Sequence, residues 1–414
     1  MADSVTTTIR IDTELKQQAT DLFDELGITM SAAITTFLKA AIREQGMPFD
    51  LKIATDKTSG DTVNSVLNSA FIARKDEFYT DYGDIETEVS YYPDAFEGKV
   101  VLCNCDDPFE SAFFRFFAQN FNNLGLAKLI STSYAGSAMA GTVYPLRTPQ
   151  RAYKAIVTAV PEEPLLFPDG SLDVENLFTS SGNSLSQLLG DGDFRSTECV
   201  ELLEQADIVV TNPPFSLFRD YMRCLVAKNK QFLVLGNMNA ATTRDIFPLF
   251  RDGKAWYGPS IRSGDRKFYV PDSYPLHAAG CGVDQNGRKF IRVKGVRWFT
   301  NLDHEALHAG LELTHTYSPE TNPVYDNYDA IEVPRTKHIP MDYDGIMGVP
   351  ITFLDSYSPD QFDILMLANG NARTNTSERV LGEARYSRHP DDRGGVAMLN
   401  GRRSYARILI RKRK

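Results

Sequence analysis

No stretch of the 414 residues approaches the ~20 consecutive apolar positions that a membrane helix needs. The opening MADSVTTTIR lacks both the basic start and the apolar run of a secretion signal. A soluble, cytoplasmic chain with no membrane partner is therefore expected. Cysteine is scarce, and no two of Cys103, Cys105, Cys199, Cys224 and Cys281 have Cys-x-x-Cys spacing. The absence of that spacing and the odd count argue against a zinc knuckle and a disulfide framework, so these five read as reduced thiols. An overall basic excess is also missing, since the net charge is −10. The charge is unevenly spread, however: from Asn371 to Lys414, 12 Lys and Arg face 4 Asp and Glu, which leaves −18 on the rest of the chain. Contact with a polyanion is governed by the field within a Debye length, so a basic end on an acidic body leaves nucleic acid open as a partner. What is present in quantity is apolar sequence, at 42% with 11% aromatic, enough for more than one core and for two or three domains.

In the first residues Val5, Thr7, Ile9 and Ile11 alternate with Thr6, Thr8 and Arg10, which is one strand with one apolar face. Asp12 can cap a helix carrying Leu15, Ala19, Leu22, Phe23 and Leu26 until Gly27 stops it. Ser31 can cap a second with Ile34, Phe37, Leu38, Ala41 and Ile42 on one side. A lone strand with two helices buries too little surface to stand alone, so pairing with a second copy through a two-stranded ribbon is expected. TTTIRID, LGITMSAAI and GMPFDL resemble the RelB/DinJ antitoxins of ribbon-helix-helix fold, over residues 1–52. The resemblance implies a homodimer whose Thr6, Thr8 and Arg10 enter the major groove of double-stranded DNA. Where those antitoxins carry a toxin-binding segment, this chain has the polar, linker-like ATDKTSGDTVNSVLNSA, so a toxin partner is not expected.

Beyond a linker at 53–72, strand-like and helix-like segments alternate. KVVLC leads into the turn NCDDP and a helical pattern of Phe113, Phe114, Phe117 and Phe121. LAKLIST, and FLVLGN with a helix near ATTRDIFPLF, continue it. An α/β sheet is predicted, with ligands at the carboxyl ends of its strands and an insertion at about 134–182. Within it, ADIVVTNPPFSLFRDYM reads as a buried strand at Asp207–Val210, a stiff loop from Thr211 to Phe215, and a helix capped by Ser216. The side-chain oxygen of Asn212 and the carbonyl of Pro213 can accept both hydrogens of an exocyclic amine while Phe215 stacks on its ring. Pro213 and Pro214 restrict the loop, so the acceptors are preorganised. Such acceptors favour a pyramidal nitrogen able to attack an electrophilic methyl group, with neither a metal nor a covalent enzyme intermediate.

The ordered set DEFYTDYGDIETEVSYY, KVVLCNCDDP, NFNNLGLAKLI, GDGDFRS, DIVVTNPPFSLFR, WFTNLD, NYDAIEV, DYDGIMGVPITFL and RILI resembles the EcoRI-type adenine-N6 DNA methyltransferases from about residue 73 to the end. This implies a Rossmann-like, class I S-adenosylmethionine-dependent sheet over 73–303 and a target-recognition region over 304–414. The substrate implied is an adenine flipped out of duplex DNA. Motif matching places Tyr79 and Thr80 at the methionine end of the cofactor and Cys103, Asn104, Asp106 and Asp107 at its amino-acid part. It places Asp193 and Phe194 at the cofactor's adenine ring, and Asn212, Pro213, Pro214 and Phe215 in the catalytic loop. A G-x-G after the first strand is missing, and the second strand has no acidic end to hold the ribose.

His304-Glu-Ala-Leu-His308 fits the H-E-x-x-H zinc pattern, but it directly follows a methyltransferase-like segment and is not assigned to a metal. After residue 304 the alternation fades into loops and a basic tail, in which Arg402, Arg403 and Arg407 are candidates for phosphate contact. The rival expectation is a transcriptional regulator whose methyltransferase body is inert.

Overall fold

The computed structural model describes residues 80–108, 111–135, 151–162, 167, 172–179, 182–262, 265–270, 276, 280–285 and 287–413. The expected ribbon-helix-helix segment, with Thr6, Thr8 and Arg10, and the cofactor candidate Tyr79 lie outside the described residues.

Two strands set the frame: β1 (Val100–Cys103) and β2 (Lys128–Thr132) run parallel, with Leu102 opposite Ile130. β3 (Tyr153–Val157) and β4 (Ser184–Gln187) add antiparallel on that side. On the other side of β1 lie β5 (Ile208–Thr211) and β6 (Gln231–Asn237), both parallel to it. β7 (Trp256–Tyr257) and β11 (Val296–Thr300) complete a sheet of eight strands in the order β4-β3-β2-β1-β5-β6-β11-β7. Between them in sequence, β8 (Asp265–Tyr269), β9 (Gly282–Val283) and β10 (Lys289–Lys294) form a separate antiparallel sheet of three strands. The central strands read as continuous apolar runs because both faces are covered; every residue of β5 is buried.

Helix α1 (Tyr82–Val89) starts where the Asp81 carboxylate accepts from Gly83 N at 2.9 Å. Helix α2 (Ala112–Gln119) is capped in the same way by Ser111, and its Phe113, Phe114 and Phe117 are buried, as the helical spacing predicted. Helices α3 (Val174–Thr179) and α4 (Thr197–Gln205) follow. Helix α5 (Phe218–Ala227) departs from expectation. Ser216 does not cap it but lies inside a 3-10 turn, Phe215–Leu217, set up by Pro214 at φ −52°, and α5 begins at Phe218 without a side-chain cap.

Two further differences concern organisation. The segment expected as an insertion contributes β3, an integral strand of the main sheet with Ile130 paired to Ile156. The region expected to be irregular after residue 304 contains a sheet of β12 (Ala330–Glu332), β13 (Ile346–Pro350), β17 (Arg407–Lys412) and β14 (Phe362–Ala368), in that order. A hairpin of β15 (Met398–Leu399) and β16 (Arg402–Arg403) precedes β17. The segment read as a basic tail is thus an inner strand, with Ile408, Leu409 and Ile410 fully buried. Its flanking Arg and Lys residues had hidden the apolar centre.

The boundary expected near 303 falls between two sheets that share one apolar core, since Leu102, Val209 and Phe232 cluster with Met347, Phe353 and Ile408. All described residues belong to one compact unit spanning 61–414. None of the five cysteines is joined in a disulfide. Among the described residues no helix is long and apolar enough to cross a membrane.

Candidate active site

Chain order reverses at β1: β2 lies on one side of it and β5 on the other, so the loops leaving β1 and β5 open a crevice at the carboxyl edge. The loop after β1 turns sharply. Lacking glycine, it places Cys105 in the left-handed region at φ 60°, a conformation that costs an L-residue about 1–2 kcal/mol and persists where surrounding bonds impose it. Those bonds converge on Asp106. Its amide donates to Thr132 O at 2.8 Å, its carbonyl accepts from Ser131 Oγ at 2.5 Å, and its carboxylate accepts from Ser111 Oγ and Thr211 Oγ1, both at 2.9 Å. The Thr211 hydroxyl also bonds Asn104 O. One carboxylate thereby clips together the loop after β1, the start of α2 and the end of β5.

This changes how the expected cofactor residues are read. Asp106 is engaged within the protein, and the Cys103 side chain is fully buried in the core, where burial pushes its thiol pKa up, with the Asp106 carboxylate a lesser cause. Cys103 can meet a ligand only through its backbone. Asn104 is different. Its Oδ1 is buried and has no hydrogen-bond partner among the described residues, which is the condition of a group that awaits a polar ligand. Asp107 holds the loop through its carbonyl, which accepts from Ser111 N at 2.8 Å.

The loop at 190–194 docks on the same edge. Asp191 O accepts from Ala135 N at 2.8 Å, and Gly192 (φ +81°) lies so close that a Cβ there would sit 2.0 Å from Ser133 O. Asp193 is held by Arg195, whose Nε and Nη2 reach its two oxygens at 2.9 and 2.6 Å and whose hydrogen bonding depresses its pKa. Phe194 is buried, edge-on to Tyr221 at 5.0 Å between centroids.

At the end of β5, Asn212 is only 9% exposed. Its Nδ2 donates to Thr80 Oγ1 at 3.3 Å, joining two residues 132 positions apart that the sequence had assigned to catalysis and to the cofactor. That bond fixes the plane of the amide and hence the direction of Oδ1. Pro213 and Pro214 are buried, and the Pro214 carbonyl closes the next turn by accepting from Leu217 N at 2.9 Å. Phe215 is half-buried, edge-on to Phe268 of β8 at 6.4 Å. Sequence reasoning missed Phe268, Thr211, Ser111 and Ser131. The alternation in DRKFYV was the signal for the first, and the polar contacts of the others join segments distant in sequence.

The H-E-x-x-H imidazoles have separate duties. His304 Nδ1 accepts from Leu307 N at 3.1 Å, capping a single helical turn at Glu305–His308. His308 lies between Asp360 and Asp303, at 2.6 and 2.7 Å, and these bonds raise its pKa, that to Asp360 most. A histidine whose folded pKa exceeds its unfolded value of about 6.5 stabilises the fold fully below that value and progressively less as pH rises through the folded pKa. His308→Ala is therefore expected to lower Tm more at pH 6 than at pH 9; equal losses by differential scanning fluorimetry contradict this.

Of the C-terminal arginines, Arg402 and Arg403 are exposed on the β15–β16 hairpin. Arg407 departs from the expectation of a phosphate ligand: its guanidinium is paired with buried Glu332 at 2.7 Å. With Ser404 and Tyr405, the three arginines line an open cavity of about 520 Å³.

Comparison with known proteins places these residues among relatives. The family model for adenine-specific methyltransferase EcoRI matches residues 66–413, and that for the RelB antitoxin matches residues 4–73. The chain is 39% identical over 356 residues to the type II methyltransferase M.EcoRI of Escherichia coli, covering 85% of this chain and 97% of that one. It is 37% identical over 352 residues to the type II methyltransferase M.MpnI of Mycoplasma pneumoniae, covering 84% and 98%. No solved structure shows significant similarity to the chain.

Proposed function

The chain belongs to the EcoRI family of adenine-specific DNA methyltransferases, and from that membership we propose that Asn212, Pro213, Pro214 and Phe215 present the target adenine for methylation at N6. The observation that carries this reading is the Asn212–Thr80 bond at the mouth of the crevice between β1 and β5. It ties the acceptor for the adenine amine to the segment assigned to the cofactor.

The family's use of S-adenosylmethionine fits the crevice chemically. The buried Asn104 Oδ1 is an acceptor suited to the cofactor's ammonium, and Thr80, Asp107, Asp193 and Phe194 stand around the same edge. The cofactor supplies a methyl group activated by its sulfonium. The remaining work belongs to the chain. Phe215 stacks on the everted adenine, offsetting about 1–3 kcal/mol of lost base stacking. Asn212 Oδ1 and the Pro213 carbonyl accept the two amine hydrogens and turn the nitrogen lone pair toward the methyl carbon. The N6 proton displaced by the transfer would be lost to solvent from the amine that Asn212 Oδ1 and the Pro213 carbonyl hold. Arg402 and Arg403 hold DNA phosphates on the C-terminal hairpin.

Incubating the purified protein with duplex DNA and tritiated-methyl cofactor, then digesting to nucleosides, tests the reading. Label in N6-methyladenine is expected; label only in RNA or protein, or none at all, overturns it.

Residues 1–52 act in this scheme as a ribbon-helix-helix homodimer with Thr6, Thr8 and Arg10 toward DNA, a reading supported by the RelB match. Deleting them is expected to give monomers that keep some methylation and bind DNA more weakly. A deletion that remains dimeric in size-exclusion chromatography with light scattering removes this role.

A further inference from the structure

We propose that the outer face of the three-stranded sheet β8–β10–β9 is a clamp for the DNA backbone beside the catalytic loop, an inference that rests on the DNA-methylating reading above. Residues 262–294 carry seven Lys and Arg against three Asp, within a chain of net charge −10. The strand period sorts them. In β10, Ile291 and Val293 are buried while Arg292 and Lys294 are exposed, and in β8 Phe268 is buried between Lys267 and Tyr269. The outer face therefore interleaves cations with aromatic rings.

Those rings hold the cations in place. Lys267 Nζ lies 4.6 Å from the centroid of Tyr269 and 4.5 Å from that of Phe290, and Arg288 Cζ lies 3.7 Å from Tyr269. The antiparallel register sets Arg292 directly opposite Lys267. Like charges across a strand pair repel, so the sheet bears a cost that a polyanion laid across it removes. Asp284 reaches Lys267 at 3.9 Å and Asp265 stands opposite Lys294 in the register, while Arg292 faces Lys267 and no carboxylate across the β8–β10 pair.

Position decides which polyanion. The buried face of this sheet meets the catalytic loop through Phe268 against Phe215. The sheet thus adjoins Phe215, and the occupant proposed for its outer, cationic face is the phosphate backbone flanking the target base. Backbone contacts fix register on the duplex without reading sequence.

The test is the full-length triple variant R288A/R292A/K294A, all exposed positions, in fluorescence anisotropy with a duplex that the wild-type protein methylates. Kd at 0.15 M salt is expected to rise at least about 10-fold, and the slope of log K against log salt to fall by about 2–3, near 0.9 per lost phosphate contact. Affinity for S-adenosylhomocysteine should be retained. Should the triple variant lose that affinity through misfolding, R292Q alone is expected to lower the slope by about 0.9. An unchanged Kd and salt slope in a variant that still binds S-adenosylhomocysteine overturns the clamp while leaving the methylating role intact. A wild-type protein that neither binds nor methylates duplex DNA overturns both.

Discussion

Replacing Asn212 by alanine is expected to lower methyl-transfer turnover by about 10²–10³-fold with cofactor affinity nearly unchanged, the size of loss seen when one preorganised polar partner is removed from a transition state. The loop is stiffened by two prolines, and the amide is oriented by Thr80 at 3.3 Å, so the acceptor stands in place before substrate arrives. Alanine removes that acceptor while Pro213, Pro214 and Phe215 keep the loop's shape. The loss should therefore fall on kcat rather than on S-adenosylmethionine binding. Single-turnover methylation with equilibrium cofactor titration separates the two, and an unimpaired rate removes the mechanism.

The second large effect concerns the body that carries this loop. Arg297 on β11 donates to both carboxylate oxygens of Asp355, at 2.5 and 3.0 Å, with side chains only 4% and 11% exposed. The pair ties the main sheet to the turn Ile351–Ser356 between β13 and β14 of the C-terminal sheet. Burial raises the Asp355 pKa, outweighing the lowering by the guanidinium beside it. Asp355→Ala leaves the Arg297 guanidinium buried without its carboxylate partner, although its bonds to Val296 O and Arg262 O remain. A stability loss of about 3–5 kcal/mol is expected. Replacing both partners by apolar residues of similar volume should recover much of it, because no orphan charge remains. Urea denaturation of the single and double variants checks this; an Asp355→Ala protein within about 1 kcal/mol of the parent, the usual range for an exposed pair, contradicts it.

The contrast between these two sites explains what the sequence could and could not disclose. KVVLC and DIVVT were legible because central parallel strands bury both faces and leave unbroken apolar runs. The loop after β5 was legible as a stiff turn because two prolines follow an unbroken apolar run. The inner strand at Tyr153–Val157 was lost among Gly, Ser and Pro, and Arg407–Lys412 looked like a tail because cations flank its buried centre. The Asp106 clip and the Arg297–Asp355 pair join residues that no local pattern connects; Asp106 and Thr211 stand 105 positions apart. Asp106 could be placed in the right loop from sequence, but not given its part in holding that loop together.

The most direct measurement is a structure of the protein with S-adenosylhomocysteine and a duplex carrying its methylated site. The account predicts the everted adenine N6 within about 2.7–3.2 Å of both Asn212 Oδ1 and the Pro213 carbonyl, with Phe215 stacked on the ring. An adenine still paired in the duplex, or one bound with Asn212 turned away from its amine, contradicts it.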